Sequence, residues 1–316
     1  MAVTSKRALV TFFIGAIMPV PVSVAVGTAL AGIDRDVRYV EACLHDSLEE
    51  ARARPKKLLL VSGSNARHGI SAEQLSERVG VPVVNAACHA GLGRRYILHF
   101  ARAAFQTGDL VVLPLEYDLY DKDGPATVKL LYVFAHDKRY LYEASFIERI
   151  QMLYGGNVTH WLAQLVAARR AISTQAAMPP VSVAAPSWRT PAVDPATDTG
   201  KLKRTRMDFA ISDESFEELA AFANYVAARG GMAAVAFPSI LYDVMDTPAN
   251  AAFLDRLQAR LRSAGITVIG TPAGSFFEIQ DISDTIYHVS KLGQVKSTER
   301  LAEVLEQSGL LTMLRE

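Results

Sequence analysis

The chain has 316 residues, of which 50% are hydrophobic and 21% are charged. Its 33 lysines and arginines balance its 33 aspartates and glutamates, so no net charge draws the protein toward nucleic acid. The sequence contains no C-x-x-C or H-E-x-x-H spacing, so it implies neither a metal site nor an organic cofactor.

An uncharged stretch of 26 residues, 8–33, follows Lys6 and Arg7. As a helix it would extend about 39 Å, enough to cross the hydrocarbon core of a bilayer. The preceding positive residues are expected to stay cytoplasmic, so the rest of the chain would be exported. We therefore predict a signal anchor within residues 1–33. A cleaved signal peptide is the alternative, with Ala29-Leu30-Ala31 as its cleavage site.

Short apolar runs alternate with amphipathic segments along the rest of the chain. A continuous apolar run such as residues 58–61 is typical of a strand buried on both faces. The predicted strands are residues 58–61, 81–84, 110–113, 232–237 and 266–269. The predicted helices run from a capping box at Ser71 to Gly80, over 94–105, from Ser215 to Gly230, over 251–263 and over 295–307.

This alternation predicts a parallel sheet with helices on both faces, which is a three-layer α/β/α domain over residues 55–316. Residues 34–54 are charged and helical in pattern, and we predict that they form a spacer between membrane and domain. A helix-rich, aromatic insertion at about 128–206 separates the two halves of the domain and is expected to shape the substrate cleft. Its basic run, 201–206, is predicted to be solvated, with contact to anionic glycan or lipid as the alternative.

The segment Ser62-Gly63-Ser64-Asn65 directly follows the first predicted strand. Ligands of open parallel sheets bind outside the carboxyl ends of the strands, and a following helix offers N–H groups to a developing oxyanion. Ser64 is therefore the predicted nucleophile. A serine that only caps the next helix is the alternative.

Asp284 and His288 lie just before the last predicted helix. A histidine can take the proton of a serine nucleophile, and an aspartate can orient that histidine. We predict these two roles for His288 and Asp284. Asp281 is a second candidate for the orienting role, and His89 is a weaker candidate for the base.

Four blocks of the sequence, 62–65, 85–93, 110–118 and 284–288, follow one another in the order of the SGNH (GDSL-type) hydrolases, which they resemble. They are most similar to the exported, membrane-anchored relatives that take part in bacterial polysaccharide O-acylation. The resemblance covers residues 55–125 and 265–310 and implies a flavodoxin-like fold. It implies that the Ser64 and Gly91 N–H groups hold the oxyanion. The further candidates for oxyanion or substrate binding are Asn65, Asn85 and Glu116.

The chain departs from the family pattern in each of three blocks. Gly63 stands where the family has aspartate, and a shifted register would put Asn65 at the nucleophile position of an inactive protein. Glu116 lies where the family has asparagine, and a carboxylate cannot donate a hydrogen bond unless it is protonated. We expect Glu116 to bind a sugar hydroxyl or to order its loop. Three residues separate Asp284 from His288, where the family has two.

The resemblance implies a serine O-acyl hydrolase or O-acyltransferase that acts on an exported polysaccharide or a cell-envelope glycan, without metal or cofactor. A catalytically degenerate module that binds glycan or envelope assembly proteins is the alternative. Either protein would be held in the inner membrane by one helix, with its N-terminus in the cytoplasm and its domain in the periplasm or outside the cell.

Two further features bear on the cellular compartment. No G-x-G-x-x-G follows the first predicted strand, which disfavours a cytosolic Rossmann-like enzyme. Cys43 and Cys88 are the only cysteines. An exported chain could join them, but two cysteines without a framework are expected to remain unpaired.

Overall fold

The computed structural model describes residues 19–32, 34–123, 126–154, 202 and 207–315. The chain divides into two compact units. The helical unit comprises Met1–Glu41 and Gly124–Val183, and the α/β unit comprises Ala42–Asp123 and Ala184–Glu316.

The described elements are numbered in chain order. The strands are β1 (Leu58–Leu60), β2 (Val83–Asn85), β3 (Leu110–Leu113), β4 (Met232–Val235), β5 (Ile240–Leu241), β6 (Thr267–Val268) and β7 (Phe276–Phe277). The helices are α1 (Pro19–Ala31), α2 (Arg35–Ala53), α3 (Ser64–Gly69), α4 (Ala72–Val79), α5 (Gly93–Ala104), α6 (Thr127–Ala135), α7 (Tyr140–Glu143), α8 (Phe146–Tyr154), α9 (Asp213–Ala227), α10 (Tyr242–Met245), α11 (Pro248–Ser263), α12 (Lys291–Ser308) and α13 (Thr312–Arg315).

The α/β unit contains a five-stranded parallel sheet in the order β2-β1-β3-β4-β6. Its register pairs Leu58 with both Val83 and Leu110, and it pairs Leu110 with Met232. The predicted parallel α/β sheet is therefore confirmed, and its helices are consistent with three layers. The strands β5 and β7 form a separate parallel pair that the sequence did not indicate, because two-residue strands leave no periodic pattern.

One face of the large sheet packs against α4 and α12. Leu58 and Leu60 of β1 share this face with Leu110 and Val112 of β3, since side chains alternate along a strand. All four are completely buried. Because β1 lies between β2 and β3, the residues that follow β1 leave the sheet from an interior strand, and this position holds the predicted nucleophile.

A buried ion pair fixes the opposite end of β1. Lys57 Nζ lies 2.6 Å from Asp109 Oδ2, and both side chains are completely buried. Asp109 also accepts hydrogen bonds from the backbone N–H groups of Lys57 and Gln106, at 3.1 and 2.7 Å. The pair thereby ties the start of β1 to the turn before β3.

The predicted spacer is a helix, α2, and its second half packs into the α/β unit. Cys43, Leu44, Ser47 and Ala51 are all buried on one face of α2. The thiol of Cys43 lies 3.6 Å from the carbonyl oxygen of Ala87. Cys43 and Cys88 are both free thiols. Residues 42–53 are therefore part of the packed α/β unit.

The helical unit brings α1, α6 and α8 together. Thr28 Oγ1 donates a hydrogen bond to the carbonyl oxygen of Phe134 at 3.2 Å. Within the described part of the chain, no helix is both long and apolar enough to cross a bilayer. Residues 1–18 and 33 of the predicted anchor lie outside that part, as do residues 155–201 and 203–206 of the predicted insertion.

Candidate active site

Ser64 is the first residue of α3, so the helix begins at the predicted nucleophile itself. Ser64 and His68 are the two residues of α3 that are not fully buried. They lie one turn apart and therefore share one face of the helix. At Gly63, the cap of α3, a Cβ atom would collide with Glu116 Oε1 and lie 2.7 Å from Ala90 Cα. The aspartate of the family pattern would not fit here.

Glu116 holds the amino end of α3. Its Oε2 accepts a hydrogen bond from the Gly63 N–H at 3.1 Å and lies 3.1 Å from Ser62 Oγ, and its Oε1 accepts one from the Asn65 N–H at 3.0 Å. Burial raises the pKa of this carboxyl group, whereas the N–H donors act in the opposite direction. Glu116 is only 1% exposed, so it orders the loop rather than facing a sugar.

The side chain of Asn65 points into the protein. Its Nδ2 donates to the carbonyl oxygen of Pro114 at 2.9 Å, and its Oδ1 lies 2.6 Å from Ser62 Oγ. Asn65 is 2% exposed, and it lies on a different face of α3 from Ser64. This orientation disfavours the shifted register, which would need Asn65 to face a substrate.

Asn85, another predicted substrate-binding residue, has a fully buried side chain that secures the far end of α3. Its Nδ2 donates to the carbonyl oxygens of Ala66 and Ile70 at 2.8 and 2.9 Å. Its Oδ1 accepts from the Ala87 N–H at 3.2 Å. With both amide hydrogens used and the residue completely buried, Asn85 positions the helix and does not face a ligand.

The predicted oxyanion donor, Gly91, already has a partner within its own loop. Its N–H donates to His89 Nδ1 at 2.9 Å. This bond makes Nδ1 of His89 the acceptor atom of the ring. Donation by Gly91 to a substrate therefore requires that the bond to His89 be shared or released.

Asp284 and His288 form the pair that the sequence predicted. Asp284 Oδ1 lies 2.8 Å from His288 Nδ1. Burial alone would raise the pKa of Asp284, but the hydrogen bond and charge of His288 hold it below its usual value. With Nδ1 directed at the carboxylate, Nε2 is the ring atom that can accept a proton from a nucleophile. The pair is asymmetric, because the His288 side chain is 14% exposed and the Asp284 side chain 66%.

The alternative orienting residue, Asp281, is engaged elsewhere. Both of its carboxylate oxygens accept from Lys296 Nζ, at 2.7 and 2.8 Å. Its side chain is 5% exposed, whereas that of Lys296 is 41% exposed. Asp281 therefore pins the start of α12 and leaves the orienting role to Asp284.

His68 is the residue of this site that the sequence reasoning missed. Its ring centroid lies 4.6 Å from that of His288. Burial, reinforced by the nearby charge of His288, lowers the pKa of His68 to about 4, so its ring is neutral at pH 7. Its Nδ1 is buried and has no hydrogen-bond partner among the described residues. The spacing of four residues from Ser64 was the available signal, since it places both side chains on one helix face.

Tyr287 joins the His288 loop to the loop that carries Glu116. Its hydroxyl oxygen accepts a hydrogen bond from the Tyr117 N–H at 3.0 Å. Tyr287 is buried, and burial raises its pKa above the usual value, together with the charges of Asp118 and Glu116. Three blocks that are far apart in sequence thus meet around α3.

The structure brings Asp284, His288 and α3 together, but it shows no hydrogen bond between Ser64 and His288 among the described residues. A mainly apolar cavity lies on the other side of α3, where Asn65, Ala66 and Ile70 line it. Within the described ranges, no group of three or more His, Cys, Asp or Glu residues is placed to hold a metal ion.

No protein-family profile matches the chain, and no curated protein sequence matches it either. The candidate site is therefore defined by its own geometry, which consists of Ser64 at the start of α3 and the Asp284–His288 pair beside His68 of the same helix.

Proposed function

We propose that the chain is a membrane-anchored, SGNH-like serine O-acyl hydrolase or O-acyltransferase that acts on an exported polysaccharide or cell-envelope glycan. The observation that carries the proposal is the Asp284–His288 hydrogen bond, with His288 held against the helix that begins at Ser64. We also propose a flavodoxin-like fold for the α/β unit. When the five strands of the large sheet are numbered along the chain, their order in the sheet is 2-1-3-4-5, which is the flavodoxin-like order.

In the proposed reaction, Ser64 Oγ attacks the carbonyl carbon of an acyl ester while His288 Nε2 takes its proton. Asp284 stabilises the resulting imidazolium through Nδ1. The C–O bond to the alcohol then breaks, and His288 returns the proton to the leaving oxygen. Water or a sugar hydroxyl attacks the acyl-enzyme in the second half, which releases Ser64 and gives hydrolysis or transfer respectively.

The oxyanion is proposed to bind the N–H groups of Ser64 and Gly91. Glu116 already accepts from the N–H groups of Gly63 and Asn65, on either side of Ser64, so the Ser64 N–H lies between two occupied donors. Gly91 becomes available when its bond to His89 opens. In this proposal Glu116 is a positioning residue that shapes the start of α3.

A fluorophosphonate probe tests the proposal, because it modifies only an activated serine. The full chain in detergent should be labelled at Ser64, and Ser64→Ala should abolish labelling while leaving the far-UV circular dichroism and melting temperature unchanged. Ser263→Ala, at an exposed position on α11, is the matched control and should be labelled like the wild type. Undiminished labelling of Ser64→Ala, or a folded wild type that is never labelled, would remove Ser64 from the mechanism.

A degenerate SGNH-like module that binds glycan or envelope assembly proteins is the second candidate. The specific observation in its favour is the buried Glu116 carboxyl group at the start of α3, since a carboxylate near a developing oxyanion opposes it. Calorimetric titration with envelope oligosaccharides distinguishes the two candidates. The second candidate is established if fluorophosphonate does not label the wild type and if the wild type and Ser64→Ala bind glycan equally tightly.

A further inference from the structure

The helical unit exposes a cluster of large apolar side chains, which we call the outer patch. In α8, Phe146 is 74% exposed, Ile147 69% and Ile150 40%, and Tyr142 of α7 is 80% exposed. Residues 146, 147 and 150 have the spacing of one helix face. Exposed apolar clusters of this kind mark interaction surfaces more often than isolated exposed residues do.

The opposite side of α8 is buried and holds one charged residue, Glu148, together with the apolar Met152. Glu148 is 5% exposed, and its Oε1 accepts from Lys129 Nζ at 2.5 Å and from the Tyr140 hydroxyl at 2.7 Å. A helix in water ordinarily buries its apolar face and exposes its charges. α8 instead exposes Phe146, Ile147 and Ile150 and has the charge of Glu148 satisfied inside the unit, so its outward face is suited to an apolar environment.

The outer patch belongs to the same compact unit as the predicted anchor. Both α6 and α8 pack against α1, the described end of the uncharged stretch 8–33. Gly27 lies so close to α6 that a Cβ atom there would be 2.7 Å from Phe134 Cδ2. If that stretch enters a bilayer, α8 lies at the surface of the same bilayer, because α8 packs against the described end of the stretch.

We propose that Tyr142, Phe146, Ile147 and Ile150 form a membrane-contact surface that inserts into the interfacial region of the bilayer holding the anchor. This inference rests on the anchor in the proposed function, but not on the catalytic role of Ser64. Apolar side chains on an interfacial helix bury themselves in the boundary between headgroups and acyl chains, and tyrosine favours this level because one end of its ring is polar.

Lipid-quenching fluorescence tests this surface on the full chain in lipid nanodiscs. A bimane label is attached to Ile147→Cys, and to Glu303→Cys on α12 as the matched exposed control. The natural cysteines are buried at 0% and 2% exposure, and unsubstituted protein measures any background labelling. Lipids with bromine near the headgroup should quench about half of the emission at position 147, given the shallow depth of interfacial helices, and little at position 303.

Each contrary outcome overturns the inference in a recognisable way. Equal quenching at positions 147 and 303, in a chain that floats with liposomes, would show that the patch faces water. If the chain does not float with liposomes, both the anchor and the membrane-contact surface are excluded. Fluorophosphonate labelling tests the catalytic role of Ser64 independently of this result. A label at position 147 that is shielded from solvent as much in lipid-free detergent as in nanodiscs would show that protein, and not lipid, covers the patch. Disulfide cross-linking between two Ile147→Cys chains would then identify a second copy of the chain as the occupant.

Discussion

The imidazole rings of His68 and His288 lie against each other, with their centroids 4.6 Å apart. Their surroundings differ, since Asp284 bonds His288 at 2.8 Å, whereas burial lowers the pKa of His68 to about 4. At pH 7 the His68 ring is neutral, so it packs against His288 without repelling a positive charge on that ring. A protonated His68 would repel such a charge. This ring contact joins the loop that carries His288 to α3.

His68 is expected to make the stability of the fold depend on pH. Its pKa is 6.5 in the unfolded reference and about 4 in the folded protein, so the unfolded chain binds more protons between these values. The stability contribution is therefore complete above pH 6.5 and declines as the pH falls to about 4, by about 3 kcal/mol at most. Urea unfolding at pH 7.5 and pH 4.5 should show a smaller pH-dependent loss for His68→Phe than for the wild type, and an identical loss would contradict this assignment.

Asp284→Asn should lower catalysis without unfolding the protein. The amide cannot stabilise the imidazolium or hold the required tautomer, so we expect kcat for ester hydrolysis to fall on the order of 10²–10⁴-fold. Asp281→Asn is the control, because Asp281 pairs with Lys296 and should affect stability more than kcat. Equal losses of kcat in both variants would exclude a special role for Asp284.

His89→Ala distinguishes two roles in the proposed site. If Gly91 donates to the oxyanion, removing its present acceptor should leave kcat within about tenfold of the wild type or raise it. If His89 is instead the base, kcat should fall by about 10²-fold or more. Steady-state kinetics with a chromogenic acetyl ester measures the difference.

Glu116→Gln is expected to destabilise the start of α3. The amide has one oxygen to replace the two that now accept from the Gly63 and Asn65 N–H groups, so one buried donor loses its partner. The expected cost is about 1–3 kcal/mol in the free energy of unfolding. Denaturant unfolding measures it against Glu303→Gln, which is exposed, and equal stability of the two variants would show that Glu116 does not secure the helix.

Asp109→Ala should be among the most destabilising single changes in the α/β unit. It leaves the buried Lys57 ammonium without its partner and removes the acceptor of two backbone N–H groups. We expect a loss of about 3–5 kcal/mol. Arg78→Ala breaks exposed pairs with both Glu299 and Glu306 and should change the unfolding free energy by only about 1 kcal/mol or less. A melting temperature for Asp109→Ala equal to that of Arg78→Ala would contradict the expectation.

The sequence by itself determined the parallel sheet, the position of Ser64 at the end of β1 and the Asp284–His288 pair. Strands buried on both faces leave continuous apolar runs, and the pair needs only a short turn to meet. Thr285 helps to make that turn, because its hydroxyl accepts from the His288 N–H at 3.1 Å. These signals are local, so they can be read along the chain.

Only the tertiary structure decided what surrounds those residues. It placed His68 against His288, 220 positions away in the chain, and it put Glu116 on the amino end of α3. Asn85 was directed inward to hold that helix, and Phe146 outward to the surface. Such contacts join segments with no fixed distance along the chain, and the packing of whole elements determines which face of each is covered. A list of aromatic or polar residues therefore cannot predict them.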